Sequence, residues 1–452
     1  MNIKPNILFI MTDQQSAHMM SCAGTKWVNT PNLDRIAAKG IRFTRAYCGN
    51  PVCIPSRFSI FTGYLPEKIG LRSNDFAHLA PCPRGILENG MGHLFKKAGY
   101  KTVYGGKQHF PGYKAEDIGF DVITKNERAL LADECGKFIS EKHESPWLMV
   151  ASFINPHDIC YKGICDYLDS KGEDYERIKN SVEYKTLKKY DLIPEEFSKK
   201  DFAKEHCPPV PDNYMPQKDE PSIIEDFLDQ REFKRYIAEN YDLDDWRIHR
   251  YVYKKLTEEM DNQVGRILDA LEDSEYADNT IIVFTSDHGD MDGSHRLEHK
   301  TVLYEEAIRI PLLISHPQYK KGVSSDILCS NALDLIPTML GFAGIKAPEH
   351  LDGFDLLEAY SAKTSQRRYV QIESELGRCI VSRDYKYVMY DYGENREQLY
   401  DYINDPAEVF NHIDDAKNQV ALSVLRKVFE ETWSKEQREK NPSPLLKGAL
   451  EF

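Results

Sequence analysis

The sequence predicts an α/β fold: a doubly wound, mostly parallel sheet flanked by helices, with a small C-terminal antiparallel-sheet domain. Short apolar runs without strict alternation are typical of strands that are buried on both faces. These runs alternate along the chain with segments of helical periodicity, which is the order of elements in a doubly wound sheet. From residue 369 onward, closely spaced β-like runs and one last helix at about 415–435 indicate a different architecture.

Five apolar runs predict the strands of the main sheet: residues 7–11, 101–104, 147–154, 280–285 and 311–315. The first four end where a polar cluster begins, at residues 12–14, 105–109, 155–158 and 286–290. Ligands of doubly wound sheets bind at the carboxyl ends of the strands. We therefore expect the four polar clusters to share one functional edge.

Helices are predicted between these runs. Thr30 is the expected N-cap of the first, with Pro31 at the first helical position and Gly40 as the stop. Three further helices are predicted at residues 91–98, 126–143 and 247–271.

Two domains are expected, a large α/β domain over residues 1–360 and a small α+β domain over residues 361–452. Residues 160–246 are rich in charged residues and tyrosine and include a proline stretch at 207–211. We interpret them as an insertion that covers the site, because long connections of this kind often carry substrate contacts.

Charge and hydropathy exclude several classes of partner. The net charge is −14 and no long basic run is present, which argues against nucleic-acid binding. No apolar stretch approaches the ~20 residues of a membrane helix, and the apolar run at residues 7–11 is too short for the apolar region of a signal peptide. The protein is expected in the cytoplasm if Met1 is the native start, and in the periplasm or secreted if a leader was removed. The oligomeric state is not readable from the sequence.

Ten cysteines are too sparse for a disulfide scaffold and form no zinc-type pairs. Cys53 differs from the others because it precedes a short predicted helix at residues 58–63. The positive potential at a helix N-terminus favours a thiolate or a bound oxyanion, and Arg57 adds a planar fork suited to sulfate or phosphate. On these grounds alone, a functional Cys53 and an inert buried thiol both remain open.

A divalent cation is expected near Cys53. Asp13, Gln14, Asp287 and His288 supply oxygen and nitrogen donors suited to such an ion. The alternative is that the two aspartates merely cap helices. Two acidic pairs at two strand ends favour the metal site.

The run Cys53-x-Pro55-Ser56-Arg57, followed by Thr62-Gly63, resembles the signature of type I sulfatases of the alkaline-phosphatase superfamily. In that family the cysteine is oxidised to Cα-formylglycine, whose hydrated form attacks sulfur. The resemblance thus implies a formylglycine-generating maturation enzyme as a partner.

The resemblance also implies a ligand set for one divalent cation, with calcium as the expected ion: Asp13, Gln14, residue 53, Asp287 and His288. The pairs Asp-Gln and Asp-His resemble the branch of choline sulfatases and phosphonate monoester hydrolases. Manganese therefore remains open, because it accepts histidine more readily than calcium does.

Four further residues match family positions. In Gly106-Lys107-Gln108-His109, the resemblance implies that Lys107 holds the sulfate and that His109 takes a proton from the sulfated hydrate. His157 matches a histidine that assists the leaving oxygen, and Lys300 matches the lysine that ends the run 293–300. Taken alone, a histidine after a strand is more often a structural residue.

Other positions depart from the family pattern or match it only weakly. Asp292 and Arg296 depart from it beside the expected substrate pocket, where they are predicted to tune specificity. Residues 383–388, 398–401 and 405–408 resemble the terminal domain of the family.

The resemblance implies hydrolysis of sulfate monoesters, with a small sulfated carbohydrate as the expected substrate; choline sulfate also suits the aromatic and acidic residues. A phosphonate monoester or phosphodiester hydrolase with the same nucleophile is the alternative, because both substrates are tetrahedral oxyanions. An unmodified metal-dependent phosphatase or phosphomutase, and a degenerate sulfatase that only binds a ligand, are weaker alternatives. Cys53 with Pro55 and Arg57 argues against the phosphatase.

Overall fold

A computed structural model describes residues 4–74, 82–317, 322–364, 367–440 and 443. The chain forms two compact units. The first contains Met1–Asn155, Thr257–Gly289 and Ile308–Arg368, and the second contains Pro156–Leu256, Asp290–Ala307 and Tyr369–Phe452. The two sequence-defined domains, divided at residue 360, stay a prediction.

Twelve strands lie in the described part of the chain. They are β1 (Asn6–Asp13), β2 (Gly40–Tyr47), β3 (Lys101–Gly106), β4 (Asp121–Thr124), β5 (Trp147–Pro156), β6 (Thr280–Ser286), β7 (Leu312–Ser315), β8 (Val323–Ser330), β9 (Val370–Glu373), β10 (Gly377–Val381), β11 (Tyr385–Tyr390) and β12 (Glu397–Asp401).

The described helices are α1 (Pro31–Ala38), α2 (Cys53–Thr62), α3 (Pro66–Ile69), α4 (Arg84–Leu87), α5 (Met91–Lys97), α6 (Ala129–Ser140), α7 (Cys160–Lys171), α8 (Glu176–Lys179), α9 (Val182–Leu187), α10 (Lys199–His206), α11 (Ser222–Asp229), α12 (Glu232–Asn240), α13 (Leu243–Glu272), α14 (Glu305–Ile308), α15 (Leu335–Phe342), α16 (Leu356–Ala362), α17 (Gln419–Thr432) and α18 (Lys435–Lys440). None of these helices has the length and apolar character that crossing a membrane requires.

The first unit is built on an eight-stranded sheet with the order β4-β3-β5-β1-β6-β7-β2-β8. β1 pairs in parallel with β6, β3 with both β4 and β5, and β2 with β8. The predicted mostly parallel sheet is confirmed. The predicted run 311–315 forms β7, which is antiparallel to both of its neighbours, β6 and β2.

Burial explains which strands the sequence reveals. Every residue of β1 and β5 is buried, so both strands read as continuous apolar runs. The strands β4 and β8 lie at the edges of the sheet, and β2 lies next to β8. All three are partly exposed and carry polar residues, so no apolar run marks them.

The first helix is confirmed, but its N-terminus is capped differently from the prediction. Thr30 occupies the N-cap position, as predicted, but its side chain makes no capping bond. The carboxylate of Asp261, on α13, instead accepts from the backbone N–H groups of Asn32 at 3.1 Å and Leu33 at 2.8 Å. Gly40 begins β2, and a Cβ there would lie 2.1 Å from the carbonyl oxygen of Ile314.

The second unit contains a four-stranded antiparallel sheet, in the order β12-β11-β10-β9, which confirms the predicted C-terminal sheet. One face of this sheet packs against α17, with a buried apolar cluster formed by Ile380, Tyr387, Leu399, Leu422, Leu425, Phe429 and Trp433. Residues 160–246 are largely helical, containing α7 to α12 and the start of α13. That they cover the site stays a prediction.

The end of β3 generates the first testable prediction. Gly106 has a φ of +93°, and a Cβ there would lie 2.0 Å from the carbonyl oxygen of Ser152. That carbonyl accepts from the N–H of Lys107 at 2.8 Å, so the backbone has little freedom to move aside. We expect Gly106→Ala to lower the free energy of unfolding, measured by urea denaturation, by several times the roughly 1 kcal/mol that backbone strain alone would cost.

Gly112 provides the matched control, because its φ is +77° and no heavy atom lies within 4 Å of the position that a Cβ would take. Gly112→Ala therefore carries the backbone strain without the clash. Equal midpoint shifts for the two variants would contradict the close packing at Gly106.

Candidate active site

Parallel pairing brings two acidic strand ends together. Asp13 is the last residue of β1, and Asp287 follows the last residue of β6. Thr12 lies opposite Ser286 in the register of these strands, and the N–H of Asp287 donates to the carbonyl of Thr12 at 3.2 Å. The two carboxylates consequently meet at one edge of the sheet, as predicted from the strand ends.

α2 carries Cys53 to the same edge. The helix begins at Cys53, five residues earlier than predicted, so its first turn contains Pro55, which has no N–H to satisfy there. The helix ends at Gly63, whose φ of +78° allows its N–H to bond the carbonyl of Ser59. The side chain of Ser56 then ties the helix to the carbonyl of Asp287 at 2.6 Å.

Four buried side chains form one cluster of potential metal ligands: Asp13, Cys53, Asp287 and His288, with ligand atoms all within 4.8 Å of one another. The Cys53 Sγ atom lies 3.2 Å from His288 Nε2 and 3.6 Å from Asp13 Oδ1. His288 Nε2 also lies 3.6 Å from an oxygen of Asp287. The donor set therefore converges as a cation site requires.

The tautomer of His288 suits metal binding. Its Nδ1 atom lies 2.9 Å from the carbonyl oxygen of Gly289, which can only accept, so Nδ1 carries the proton. The lone pair of Nε2 is then directed at the cluster. Two carboxylates with one such imidazole fit a divalent cation of hard or borderline character.

Gln14 contributes through its backbone in a way that the sequence does not reveal. Its φ is +69°, and its N–H donates to Asp287 Oδ1 at 3.1 Å. The same oxygen accepts from the N–H of His288 at 2.9 Å. The predicted role of the Gln14 amide as a metal ligand stays a prediction.

Arg57 lies between the two carboxylates and is fully buried. Its Nε donates to Asp287 at 2.8 Å, and one terminal nitrogen donates to Asp13 at 3.1 Å. The other donates to the Ser152 hydroxyl at 2.9 Å and the Lys107 carbonyl at 3.0 Å. Arg57 thus positions the carboxylates, and its predicted contact with sulfate stays a prediction.

The buried charges shift the pKa of two groups in the cluster. Burial, and then the nearby charge of Asp13, raise the pKa of Asp287 to about 6, although Arg57 opposes the shift. Burial alone would lower the pKa of Arg57, but both carboxylates raise it above its ordinary value. Both pKa values are raised, as expected where two buried carboxylates lie close together beside a buried guanidinium.

Lys107 joins the site through Asp13. It follows the glycine turn that ends β3, and its Nζ lies 2.5 Å from Asp13 Oδ2. His109 is partly exposed and has a φ of +55°. Its buried Nδ1 has no hydrogen-bond partner among the described residues, and its role as a base stays a prediction.

His157 and Lys300 belong to the second unit. His157 directly follows β5 and begins a short 3₁₀ turn, and Lys300 is a buried residue at 8% exposure. Their predicted roles at the leaving oxygen and the sulfate stay predictions.

The sequence interpretation missed several supporting residues. Ser152 is the one hydroxyl residue in the apolar run 147–154, and this break in the run could have indicated its partnership with Arg57. Asn331 follows β8 and donates to the carbonyl of Ser286 at 2.8 Å. No sequence signal marks Asn331, because β8 itself has no apolar run.

Comparison with known proteins identifies the chain's relatives. The sulfatase family profile matches residues 5–345, and the profile of the C-terminal region of N-sulphoglucosamine sulphohydrolase matches residues 293–435. An uncharacterised sulfatase, YidJ, of Escherichia coli K12 is 32% identical over 92% of this chain and 84% of its own length. A Δ4,5-hexuronate-2-O-sulfatase of Bacteroides thetaiotaomicron is 27% identical over 95% of this chain and 88% of its own.

Solved structures share the fold. A 2-O GAG sulfatase superposes with a TM-score of 0.78 at 24% identity, covering 95% of this chain and 92% of that one. A phosphonate monoester hydrolase of Agrobacterium radiobacter superposes with a TM-score of 0.68 at 20% identity, covering 98% of this chain and 97% of that one. With the family profile matched over most of its length and its signature cysteine placed against two strand-end carboxylates, the chain belongs to the sulfatase family of sulfuric ester hydrolases.

Proposed function

We propose that this sulfatase hydrolyses the sulfate monoester of a small sulfated sugar, using a nucleophile derived from Cys53 and one divalent cation. The observation that carries the proposal is the position of Cys53. Its Sγ lies at the first turn of α2, 3.2 Å from His288 Nε2, within the cluster of Asp13 and Asp287. Among the described residues, none of the nine other cysteines belongs to a cluster of potential metal ligands.

The nucleophile is proposed to be Cα-formylglycine at position 53. Its hydrated aldehyde supplies one hydroxyl for attack on sulfur and a second whose deprotonation expels sulfate. The N-terminus of α2 favours negative charge at this position, and Arg57 keeps both neighbouring carboxylates in place.

A cation is proposed to be held by Asp13, Gln14, residue 53, Asp287 and His288, with calcium expected and manganese as the alternative. The ion supplies Lewis acidity and neutralises charge on the sulfuryl oxygens.

The remaining steps are proposed for side chains. Lys107 stabilises negative charge on the sulfuryl group as the S–O bond breaks, and Lys300 assists it. His157 gives a proton to the leaving alcohol, and His109 takes the proton of the second hydroxyl. The carboxylate of Asp287, in the same cluster as residue 53, accepts the proton of the attacking hydroxyl.

A carbohydrate substrate is supported by the relatives. Two of them, the hexuronate-2-O-sulfatase and the 2-O GAG sulfatase, are named for sulfated sugars. The phosphonate monoester hydrolase shares the fold at lower similarity, so that chemistry is the second candidate.

The nature of residue 53 can be tested by mass spectrometry of protein coexpressed with a formylglycine-generating enzyme. Trypsin releases residues 46–57 as one peptide, which contains both Cys48 and Cys53. We expect fragmentation to place an aldehyde at position 53 while Cys48 in the same peptide remains a thiol.

The variant Cys53→Ala should lower turnover of sulfate esters by at least roughly 10³-fold, because the nucleophile is lost. A thermal unfolding midpoint close to that of the wild type will show that the fold is kept. An unmodified Cys53 in a fully active preparation would refute the proposed nucleophile.

Metal dependence provides a second test. Chelation should abolish activity, and calcium or manganese should restore it. His288→Asn removes the imidazole while keeping an oxygen donor, so we expect this variant to be restored by calcium and to lose its response to manganese. Activity that survives chelation, with no metal detected by elemental analysis, would contradict the cation site.

The substrate class can be decided by a panel of monosulfated hexoses and hexuronates, choline sulfate and an aryl phosphonate monoester. We expect the highest kcat/KM for a sulfated sugar, because two of the relatives described above are named for sulfated sugars. A preference for the phosphonate ester would support the second candidate, and turnover of choline sulfate alone would exclude the sugar.

A further inference from the structure

The segment that carries Lys300 is strained. Ten non-glycine residues of the described chain have a positive φ, and half of them lie within ten positions around Lys300: Asp292, His295, Arg296, His299 and Thr301. A left-handed backbone is unfavourable for a residue with a side chain, and it persists only where the surroundings impose it. The contacts that hold residues 292–305 therefore determine the position of Lys300.

Part of the restraint is local. The N–H of Met291 donates to the carbonyl of His299 at 2.7 Å, and the N–H of Gly293 donates to that of Leu297 at 3.0 Å. These bonds close the loop but leave its C-terminal side, residues 301–305, to be fixed by other groups.

A buried ion pair fixes that side. Lys386 of β11 is fully buried, and its Nζ donates to the carbonyl of Leu303 at 2.6 Å and to Glu408 at 2.6 Å. Glu408 is also fully buried and accepts from the N–H of Glu305 at 3.0 Å. The pair thus holds the backbone on both sides of residue 304.

Glu408 makes this contact at a cost to its own backbone, since its φ is +54°. Ser374, just after β9, adds a hydrogen bond from its hydroxyl to the carbonyl of Thr301. Three residues of the C-terminal part of the chain therefore bind backbone groups of three alternate residues, Thr301, Leu303 and Glu305.

The two faces of the C-terminal sheet contact different parts of the chain. Consecutive residues of a strand point to opposite faces. The ring of Tyr387 packs against Phe429 of α17 at 5.4 Å, whereas Lys386 reaches the strained segment. One face is a core, and the other is a support for residues 301–305.

We propose that the Lys386–Glu408 pair is a positioning device that holds residues 292–305 in the strained conformation and thereby places Lys300 for catalysis. The role of Lys300 rests on the proposed function. The C-terminal sheet thereby has a task in catalysis, which the hydrolytic mechanism alone does not give it.

The test uses a variant that removes both charges together, Lys386→Met with Glu408→Met. Replacing both partners of a buried pair by apolar residues of similar size is often neutral for stability, whereas removing one partner leaves a buried charge. Leu425→Ala is the control, because it weakens the α17 face of the same sheet. We expect amide hydrogen exchange at residues 292–305 to accelerate in the double variant and not in the control.

The kinetic test is a cycle with Lys300→Ala. If the pair acts through Lys300, the double variant lowers kcat on the order of 100-fold in the wild-type background and has almost no further effect beside Lys300→Ala. Equal losses in both backgrounds would indicate a general structural role and overturn the inference. Full activity of Lys300→Ala would overturn it as well.

Hydrogen exchange separates this inference from the proposed function. If the wild type hydrolyses no sulfate ester but the double variant exchanges faster at residues 292–305, the proposed substrate is refuted and the positioning device is kept. Unchanged exchange in an active, folded double variant would refute the device and keep the function.

Discussion

The buried guanidinium of Arg57 is the interaction on which the site depends. Two carboxylates from adjacent strand ends, Asp13 and Asp287, lie too deep to be solvated, and Arg57 binds one oxygen of each. A charge buried without its partner is strongly destabilising. Removing any one of the three side chains would therefore destabilise the other two. Because Arg57 also bonds Ser152 and the Lys107 carbonyl, it joins β1, β3, β5 and β6 at the edge where they end.

Much of this arrangement follows from the sequence. Strands buried on both faces appear in the sequence as apolar runs, and the polar residues just beyond β1, β3 and β6 had to meet wherever those strands lie side by side. Asp13, Lys107 and Asp287 were predicted on that basis. Cys53 needed the resemblance as well, since a buried cysteine at a helix start is chemically ambiguous until its neighbours are known.

The remainder depends on contacts between distant segments, which no local pattern encodes. Asp261 binds the first N–H groups of a helix more than two hundred positions away, a task that the side chain of Thr30 at the N-cap position does not perform. Gln14 acts through a left-handed backbone that is rare outside glycine. The strain around Lys300 is similarly invisible, because the groups that impose it, among them Lys386 and Glu408, come from another part of the chain.

The charge balance of the site differs from that of the chain as a whole. The positive charges of Arg57 and Lys107 balance the two carboxylates of the cluster, so the proposed divalent cation would make the site positive while the protein carries −14. A small ester with one negative charge gains from the local field and meets little repulsion elsewhere. In a polymer with many sulfates, each additional sulfate would be repelled by the net negative charge of the protein. If the proposed substrate is correct, we expect the same electrostatics to favour short fragments over intact polymers, whichever sugar carries the sulfate.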